Sequence, residues 1–452
     1  MIRRSTGELA SLLEARLQGE GSRVVTGVAI DSRAARPGHL FVALPGERTD
    51  GHQHVAQAAD AGAAAALVSR AVPVELPQLV VADTLVALQK LARTERSRAT
   101  YRLAAITGSI GKTTTKEFLA ALLATSFTVG LTSGSRNSQV GFPAELCNQP
   151  DGIAWMVAEL GMNHTGELDR LGAIAQPDVL LYTVVAPVHL EFFADVDAIA
   201  AAKAELIPHL RHRGTLVLNA ADPRVASYAS FFRGRVVRYG VPGTSDLWVD
   251  EYRENGLLGS GFRLAGPLGN AEVEWSLLGR HQAENLLAAA TLALAVGVRP
   301  AAVASCAAKL HPPPRRGEVH RLGASGITVV DDSYNSSPQA AAAVLALLAS
   351  TPGRRVAVLG EMLELGPTSP VLHREVGRMA AAAAEVVVAV GGPSAGELAR
   401  AAAGVEAHHA ATAREALDLL RGLLRPGDVV LVKGSRAVGL ETVVDGLRAG
   451  VC

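Results

Sequence analysis

Ile106-Thr107-Gly108-Ser109-Ile110-Gly111-Lys112-Thr113-Thr114-Thr115 carries an apolar strand into a glycine-bearing turn and out into a Lys-Thr-Thr helix start. The glycines let backbone N–H groups close on phosphate oxygens. Lys112 brings a point charge to the terminal phosphates of a nucleotide, and the Thr113 hydroxyl, at the positive end of a helix, suits Mg²⁺. Gly108, Ser109, Gly111, Lys112, Thr113 and Thr114 are therefore the expected phosphate-binding residues. Ile106 stands where the strict G-x-x-x-x-G-K-[ST] pattern has its first glycine, so the loop is the shorter TGSxGKTT form.

On both sides of this loop, short apolar strands alternate with helical stretches, which predicts an α/β protein. At 452 residues the chain exceeds one core, and about 150 residues per domain suggests three. The first, residues 1–97, is a small α/β domain with strands at Val24–Ile30, Leu40–Ala43, Ala65–Val68 and Gln78–Val81; the charged run Arg93–Arg98 marks its end. The second, residues 98–312, is a P-loop domain on a mostly parallel sheet, with strands Leu103–Thr107, Trp155–Glu159, Val179–Val185 and Thr215–Asn219 and a β-rich patch at Arg235–Trp275. Pro312, Pro313 and Pro314 stop any helix, and residues 313–452 form a doubly wound, Rossmann-like third domain. Its strands are Thr328–Asp331, Arg355–Leu359, Val386–Val390 and Val429–Val432.

Charge and cysteine narrow the partners. Lys plus Arg equals Asp plus Glu at 43 each, so no net field favours nucleic acid or an anionic membrane, and small-molecule substrates are expected. The apolar run Leu286–Val298 is too short to span a bilayer, and Glu8 and Glu14 lie where a secretory segment would be apolar; a soluble, cytoplasmic protein is expected. Cys147, Cys306 and Cys452 are scattered and odd in number, against a disulfide framework or a zinc site. Only six residues are lysine and eight asparagine, yet Lys112, Lys203, Lys433, Asn137, Asn163, Asn219, Asn285 and Asn335 all fall in motif-like segments.

Open α/β sheets place ligands at the carboxyl ends of their strands, and several chemistry-bearing residues sit there. Glu159 ends a strand and is either a Mg²⁺ ligand or a capping glutamate. His189, beyond the next strand, suits a second cation or a plain hydrogen bond. Lys203 lies among alanines and, taken alone, reads as a solvated helix lysine. Gly279–Asn285 opens a long apolar helix, where its polar cluster either caps the helix or meets a purine edge. Arg316, past the prolines, can reach a phosphate, and Asp331-Asp332 ends a strand with paired acids.

In this order the motifs resemble the ATP-dependent Mur ligase family over nearly the whole chain: TGSxGKTTTKE, the Glu159 strand end, His189, Lys203 and the Asn285 segment. AELGMN, DDSYN, GEMLELG and VKGSR are similar to the member that joins D-alanyl-D-alanine to UDP-N-acetylmuramoyl-tripeptide, and the DNPR expected of the ligase adding the third residue is missing. The resemblance implies ATP as cofactor, two Mg²⁺ ions held by Thr113, Glu159, His189 and a carbamylated Lys203, and catalysis by Lys112, Lys203, His189 and Glu159. It implies adenine at Asn285, and phosphate and ribose contacts at Arg316 and Asp332 after the third domain closes about Pro312–Pro314. Ser32, Arg33, Asp50, Gly51 and His52 would hold the UDP-sugar; Asn137, Asn163, Asn335, Lys433, Ser435 and Arg436 would complete the substrate contacts. Departures from the family pattern fall at Ser138, Ala221, Gln282 and Ser336-Ser337. A monomer is expected, with lysine, ornithine or diaminopimelate as the tripeptide's third residue. The rival readings are another Mur ligase, a folylpolyglutamate-synthase-type ligase, and a nucleotide-gated scaffold that makes no product.

Overall fold

The strand Arg102–Thr107 sits inside a six-stranded sheet, and its residues alternate between two cores: Leu103 and Ala105 face one, Ala104 and Ile106 the other. A strand buried on both faces reads as a continuous apolar run, as this one does. The structure is a computed structural model and describes residues 2–46, 49–134 and 136–450; Cys452 lies outside the described residues. The sheet order is Arg235–Tyr239, Thr215–Asn219, Val179–Tyr182, Arg102–Thr107, Trp155–Glu159, Val129–Leu131, parallel throughout. Over one face, the helix that leaves the phosphate loop, Lys112–Ala124, packs Phe118, Leu119 and Leu122 in one cluster with Leu286, Leu287 and Ala290 of helix Arg280–Ala295. The β-rich patch forms a three-stranded antiparallel sheet, Trp248–Glu254, Ser260–Ala265 and Ala271–Trp275, and Trp275 rests on Phe118 at 5.8 Å between ring centroids.

The N-terminal part has a five-stranded sheet in the order Arg16–Gln18, Gln78–Val80, Ala65–Val68, His39–Val42, Gly27–Ala29, antiparallel only at its Arg16–Gln18 edge. The expected strand Val24–Ile30 is two: Val24–Val25 pairs with Arg4–Ser5, and Gly27–Ala29 joins the main sheet. The charged run Arg93–Arg98 is the end of a helix, Thr84–Arg98, capped by Asp83. Arg96 on it is fully buried. Its guanidinium donates to Ala175 O at 2.7 Å, Gln176 O at 3.1 Å, Tyr101 O at 3.3 Å and the Asp178 carboxylate at 2.9 Å. The run that marks the end of the first domain in sequence thus contains a weld between this helix and the central sheet.

The prolines at 312–314 are outside any helix, as expected, and the six-stranded C-terminal sheet begins just after them. Its order is Glu318–Leu322, Ile327–Asp332, Val429–Lys433, Arg355–Gly360, Val386–Val390, Glu406–Ala410, with an apolar cluster on each face. Only the first hairpin is antiparallel. Among the described residues no helix is long and apolar enough to cross a membrane.

Truncating Arg96 takes the guanidinium donor from three carbonyls and leaves Asp178 with Arg211 and Leu103 N alone, so a buried hydrogen-bond and ion-pair network is broken from one side. Arg96→Ala is therefore expected to destabilise the protein by about 3 kcal/mol, read as a lower urea midpoint; a midpoint equal to wild type would remove Arg96 from the weld.

Candidate active site

Two glycines make the phosphate loop possible. Gly108 has φ +143°, and a Cβ there would lie 1.9 Å from Thr183 Oγ1; Gly111 has φ +84°, and a Cβ there would lie 2.3 Å from Asn285 Oδ1. The expected strand Val179–Val185 ends at Tyr182 because the following residues fold over this loop. Thr183 Oγ1 donates to Ile110 O at 2.7 Å, Ser109 N donates to Val184 O at 2.7 Å, and Ala186 N donates to Ser109 Oγ at 2.9 Å. The loop is thereby held before any ligand arrives.

Inside it, Lys112 Nζ donates to Gly108 O at 2.8 Å and to Ser109 O at 3.2 Å, while Lys203 Nζ reaches the same Gly108 O at 3.1 Å. Lys203 is 2% exposed, so it is no solvated helix lysine. Burial pushes its ammonium well below the ordinary lysine range and the Lys112 charge adds to this, while Glu159 opposes both. Burial also lowers Lys112, with Glu159 pulling upward and Arg316 downward.

Glu159 is buried and gripped at both oxygens. Thr113 Oγ1 donates to Oε2 at 2.7 Å and Asn137 Nδ2 to Oε1 at 2.6 Å. Arg316 Nη2 comes from the C-terminal side of the prolines and donates to Thr113 Oγ1 at 3.1 Å. Asn285 sits against Gly111 at the phosphate end of the helix, and Gln282 links it to the segment after the prolines: Gln282 Oε1 accepts from Asn285 Nδ2 at 3.4 Å and its Nε2 donates to Arg316 O at 3.2 Å. Thr114, also buried, completes the helix start.

The C-terminal motifs meet at adjacent strand ends. Lys433 Nζ donates to Asp332 Oδ2 at 2.7 Å and Asn335 O at 2.9 Å; Ser435 Oγ accepts from Leu363 N at 2.9 Å. The guanidiniums of Arg316 and Arg436 lie 4.0 and 5.4 Å from the Tyr334 ring centroid. His281 faces this group from the central helix: burial lowers its pKa, Asp332 raises it and Lys433 lowers it. His189, with φ +57°, pairs through Nδ1 with Glu364 of GEMLELG, and no hydrogen bond joins it to Glu159 among the described residues. Asn163 is exposed, beside Glu167.

The N-terminal residues form a separate group. Ser32 is buried and donates to Gln57 at 2.7 Å, whereas Arg33 is exposed and holds Asp31 at about 2. His52 is buried and accepts from Ser69 N at 2.9 Å, so its Nδ1 carries the proton toward Asp50 at 2.6 Å. Gly51 presses on the backbone at Leu44. Asp50 is held below the usual carboxylate range chiefly by Arg70.

Sequence reading assigned no role to Thr183, Tyr334, Glu364 or Lys116, whose hydrogen-bond and ring partners lie at least sixteen residues away; Lys116 lies in the TGSxGKTTTKE motif, and lysine is scarce in the chain. Glu318, His320 and Asp331 bring possible ligand atoms within 4.8 Å of one another, but two of them already accept backbone amides, from Arg315 and Ser333.

Comparison with known proteins matches three family models: "Mur ligase family, catalytic domain" at residues 24–102, "Mur ligase middle domain" at 106–293 and "Mur ligase, glutamate ligase domain" at 315–436. The UDP-N-acetylmuramoyl-tripeptide--D-alanyl-D-alanine ligase of Escherichia coli K12 is 36% identical over 458 residues, covering 100% of both chains. That of Mycobacterium bovis is 36% identical over 96% of this chain and 94% of its own. The crystal structure of MurF from Acinetobacter baumannii superposes with TM-score 0.89 at 30% identity over 100% of both chains. MurF ligase from Thermotoga maritima, in complex with ADP, gives 0.82 at 27% identity over 94% of this chain and 98% of that one.

A side chain at the left-handed Gly111 costs about 1–2 kcal/mol of strain, and the Asn285 contact adds to it. Gly111→Ala is expected to weaken binding of a non-hydrolysable ATP analogue at least about tenfold by calorimetry; unaltered affinity would contradict this description of the loop.

Proposed function

The chain belongs to the Mur ligase family, and on that premise we propose that it joins D-alanyl-D-alanine to UDP-N-acetylmuramoyl-tripeptide at the expense of ATP, giving the UDP-pentapeptide, ADP and phosphate. The observation that carries this reading is the convergence of Lys112 and Lys203 on one carbonyl beside the Thr113–Glu159–Asn137 array. Such a pocket calls for anionic ligands and offers hard oxygen donors. The acidic and histidine groups at the strand ends exceed what a nucleotide-gated scaffold requires. Against another Mur ligase or a folylpolyglutamate-synthase-type enzyme stand the full-length relatives and the DDSYN and VKGSR segments.

A carboxylate is a poor acyl donor. In the proposed reaction the tripeptide's terminal carboxylate attacks the γ-phosphorus of ATP, ADP leaves, and the resulting acyl phosphate meets the amine of D-alanyl-D-alanine; phosphate departs as the amide forms. Lys112 and the backbone amides of the phosphate loop screen the repulsion between the two anions, and Arg316 adds charge from the C-terminal domain. That domain, hinged at Pro312–Pro314, keeps water from the acyl phosphate. Magnesium, when bound, neutralises the triphosphate, and the oxygen donors in contact here suit it: Thr113 and Glu159 would hold it, with His189 and a carbamylated Lys203 for a second ion.

The depressed Lys203 amine supports the carbamate, because only neutral amine adds CO₂, and its neutral fraction grows as pH rises through the lowered pKa. The product is an oxygen ligand where a cation stood. Adenine at Asn285, the UDP-sugar at the 32–33 and 50–52 segments, and acceptor contacts at Asn163, Asn335, Lys433, Ser435 and Arg436 complete the reading, for a cytoplasmic monomer.

ADP release is expected only with both the UDP-tripeptide and D-alanyl-D-alanine present, and the tripeptide among lysine, ornithine and diaminopimelate forms that turns over fastest identifies the third residue. Release that ignores the dipeptide would overturn the reaction. Lys203→Ala should lose at least about a hundredfold in kcat and recover part of it with added short-chain carboxylic acids; wild-type turnover in the untreated variant would exclude the carbamate.

A further inference from the structure

Lys116 is one of the most deeply buried charges in the protein: its side chain has no exposure, four residues after Lys112 on the same helix. A buried ammonium is tolerated only when its hydrogens find acceptors. Lys116 Nζ donates to Thr132 O and to Gly134 O, both at 2.7 Å, and forms an ion pair with Glu117 Oε1 at 3.1 Å. Both hydrogen-bond acceptors belong to the loop that follows strand Val129–Leu131.

That loop ends on the catalytic carboxylate. Thr132 Oγ1 accepts from Glu159 N at 3.4 Å and Thr132 N donates to Val157 O at 3.1 Å, so the loop lies along the end of the Glu159 strand. Asn137 donates from its side chain to Glu159 Oε1, and its carbonyl accepts from Gly161 N at 3.0 Å. Glu159 is thus aimed from two sides: by Thr113, on the phosphate helix, and by Asn137, on the loop. Lys116 ties that helix to that loop. Its compact ammonium fits a site with converging carbonyls, which a planar guanidinium does not match.

We propose that Lys116 is a positioning residue for the magnesium site: by tying Thr132 and Gly134 to the phosphate helix it keeps Asn137, three residues on from Gly134, against Glu159 and so fixes the carboxylate in its metal-binding orientation. This rests on the proposed function, because it assigns Glu159 to magnesium. Lys116 touches neither nucleotide nor metal in this account; it acts through Asn137.

The test is calorimetric binding of a non-hydrolysable ATP analogue with and without Mg²⁺, with no turnover involved. Lys116→Met is expected to reduce the Mg²⁺-dependent gain in affinity about tenfold, the effect typical of losing a partner behind a metal ligand. Metal-free affinity should stay within about twofold. Asn137→Ala should give the same defect, and Lys116→Met/Asn137→Ala no more than either alone, because both act on one contact. Equal losses with and without metal, an unchanged metal gain, or additive defects would each overturn the proposal. If Lys116→Met does not fold, Lys116→Gln, which keeps two donors for the two carbonyls, takes its place; failure of both to fold assigns Lys116 to stability alone and overturns it too. A wild-type protein that binds no analogue would instead sink the proposed function itself.

Discussion

Lys112 and Lys203 donate to the same carbonyl oxygen, that of Gly108, and the charge that opposes them is the single carboxylate of Glu159. Two ammonium groups so close and so poorly hydrated lose affinity for their own protons. The rest of the centre follows from that imbalance. Anionic ligands relieve it, and the carbamate proposed at Lys203 would do the same by replacing a cation with an anion. Glu159 matters out of proportion to its single charge, which is why both of its oxygens are held. The reactive geometry therefore depends on how firmly a glycine loop, braced by Thr183 and Ala186, presents one oxygen to two lysines.

Much of this was legible in one dimension, and for a physical reason. The strand, the glycine turn and the helix start are contiguous, so Gly108, Lys112 and Thr113 announce their roles through local pattern alone. Strand ends such as Glu159 and Asp332 are nearly as local, since a parallel sheet puts its ligands there. What stayed hidden depends on long-range partners. Arg96 sits in a charged run yet is fully buried, because Ala175 O, Gln176 O and the Asp178 carboxylate wait for it about eighty residues on, beside the nearer Tyr101 O. Lys203 looked solvated because neither its burial nor Gly108, ninety-five positions away, can be read from the alanines beside it. Tyr182 ends a strand three residues early because the segment after it is spent on bracing the phosphate loop.

The departures from the family pattern are absorbed locally. Ser138 Oγ accepts from Gly141 N at 3.2 Å at the start of a helix. Ala221 precedes Asp222, which caps helix Pro223–Ser227 and also accepts from Val185 N at 2.7 Å, steadying the bracing segment. Ser337 caps helix Pro338–Ser350. Gln282 is the instructive case, because it bridges Asn285 to the Arg316 backbone and so couples the phosphate helix region to the segment after the prolines. With Arg316 on Thr113 and Glu364 on His189, the C-terminal domain already reaches the strand ends of the central sheet. Domain contact and carboxylate orientation share the same few side chains.

Activation of a carboxylate by phosphorylation is the chemistry proposed for this cation-rich loop. Oxygen-18 placed in the terminal carboxylate of the UDP-tripeptide tests it most directly, by mass spectrometry of the phosphate released during synthesis. One labelled oxygen is expected in each phosphate, carried over through the acyl phosphate. Unlabelled phosphate, with the departing heavy oxygen lost to water instead, would contradict it.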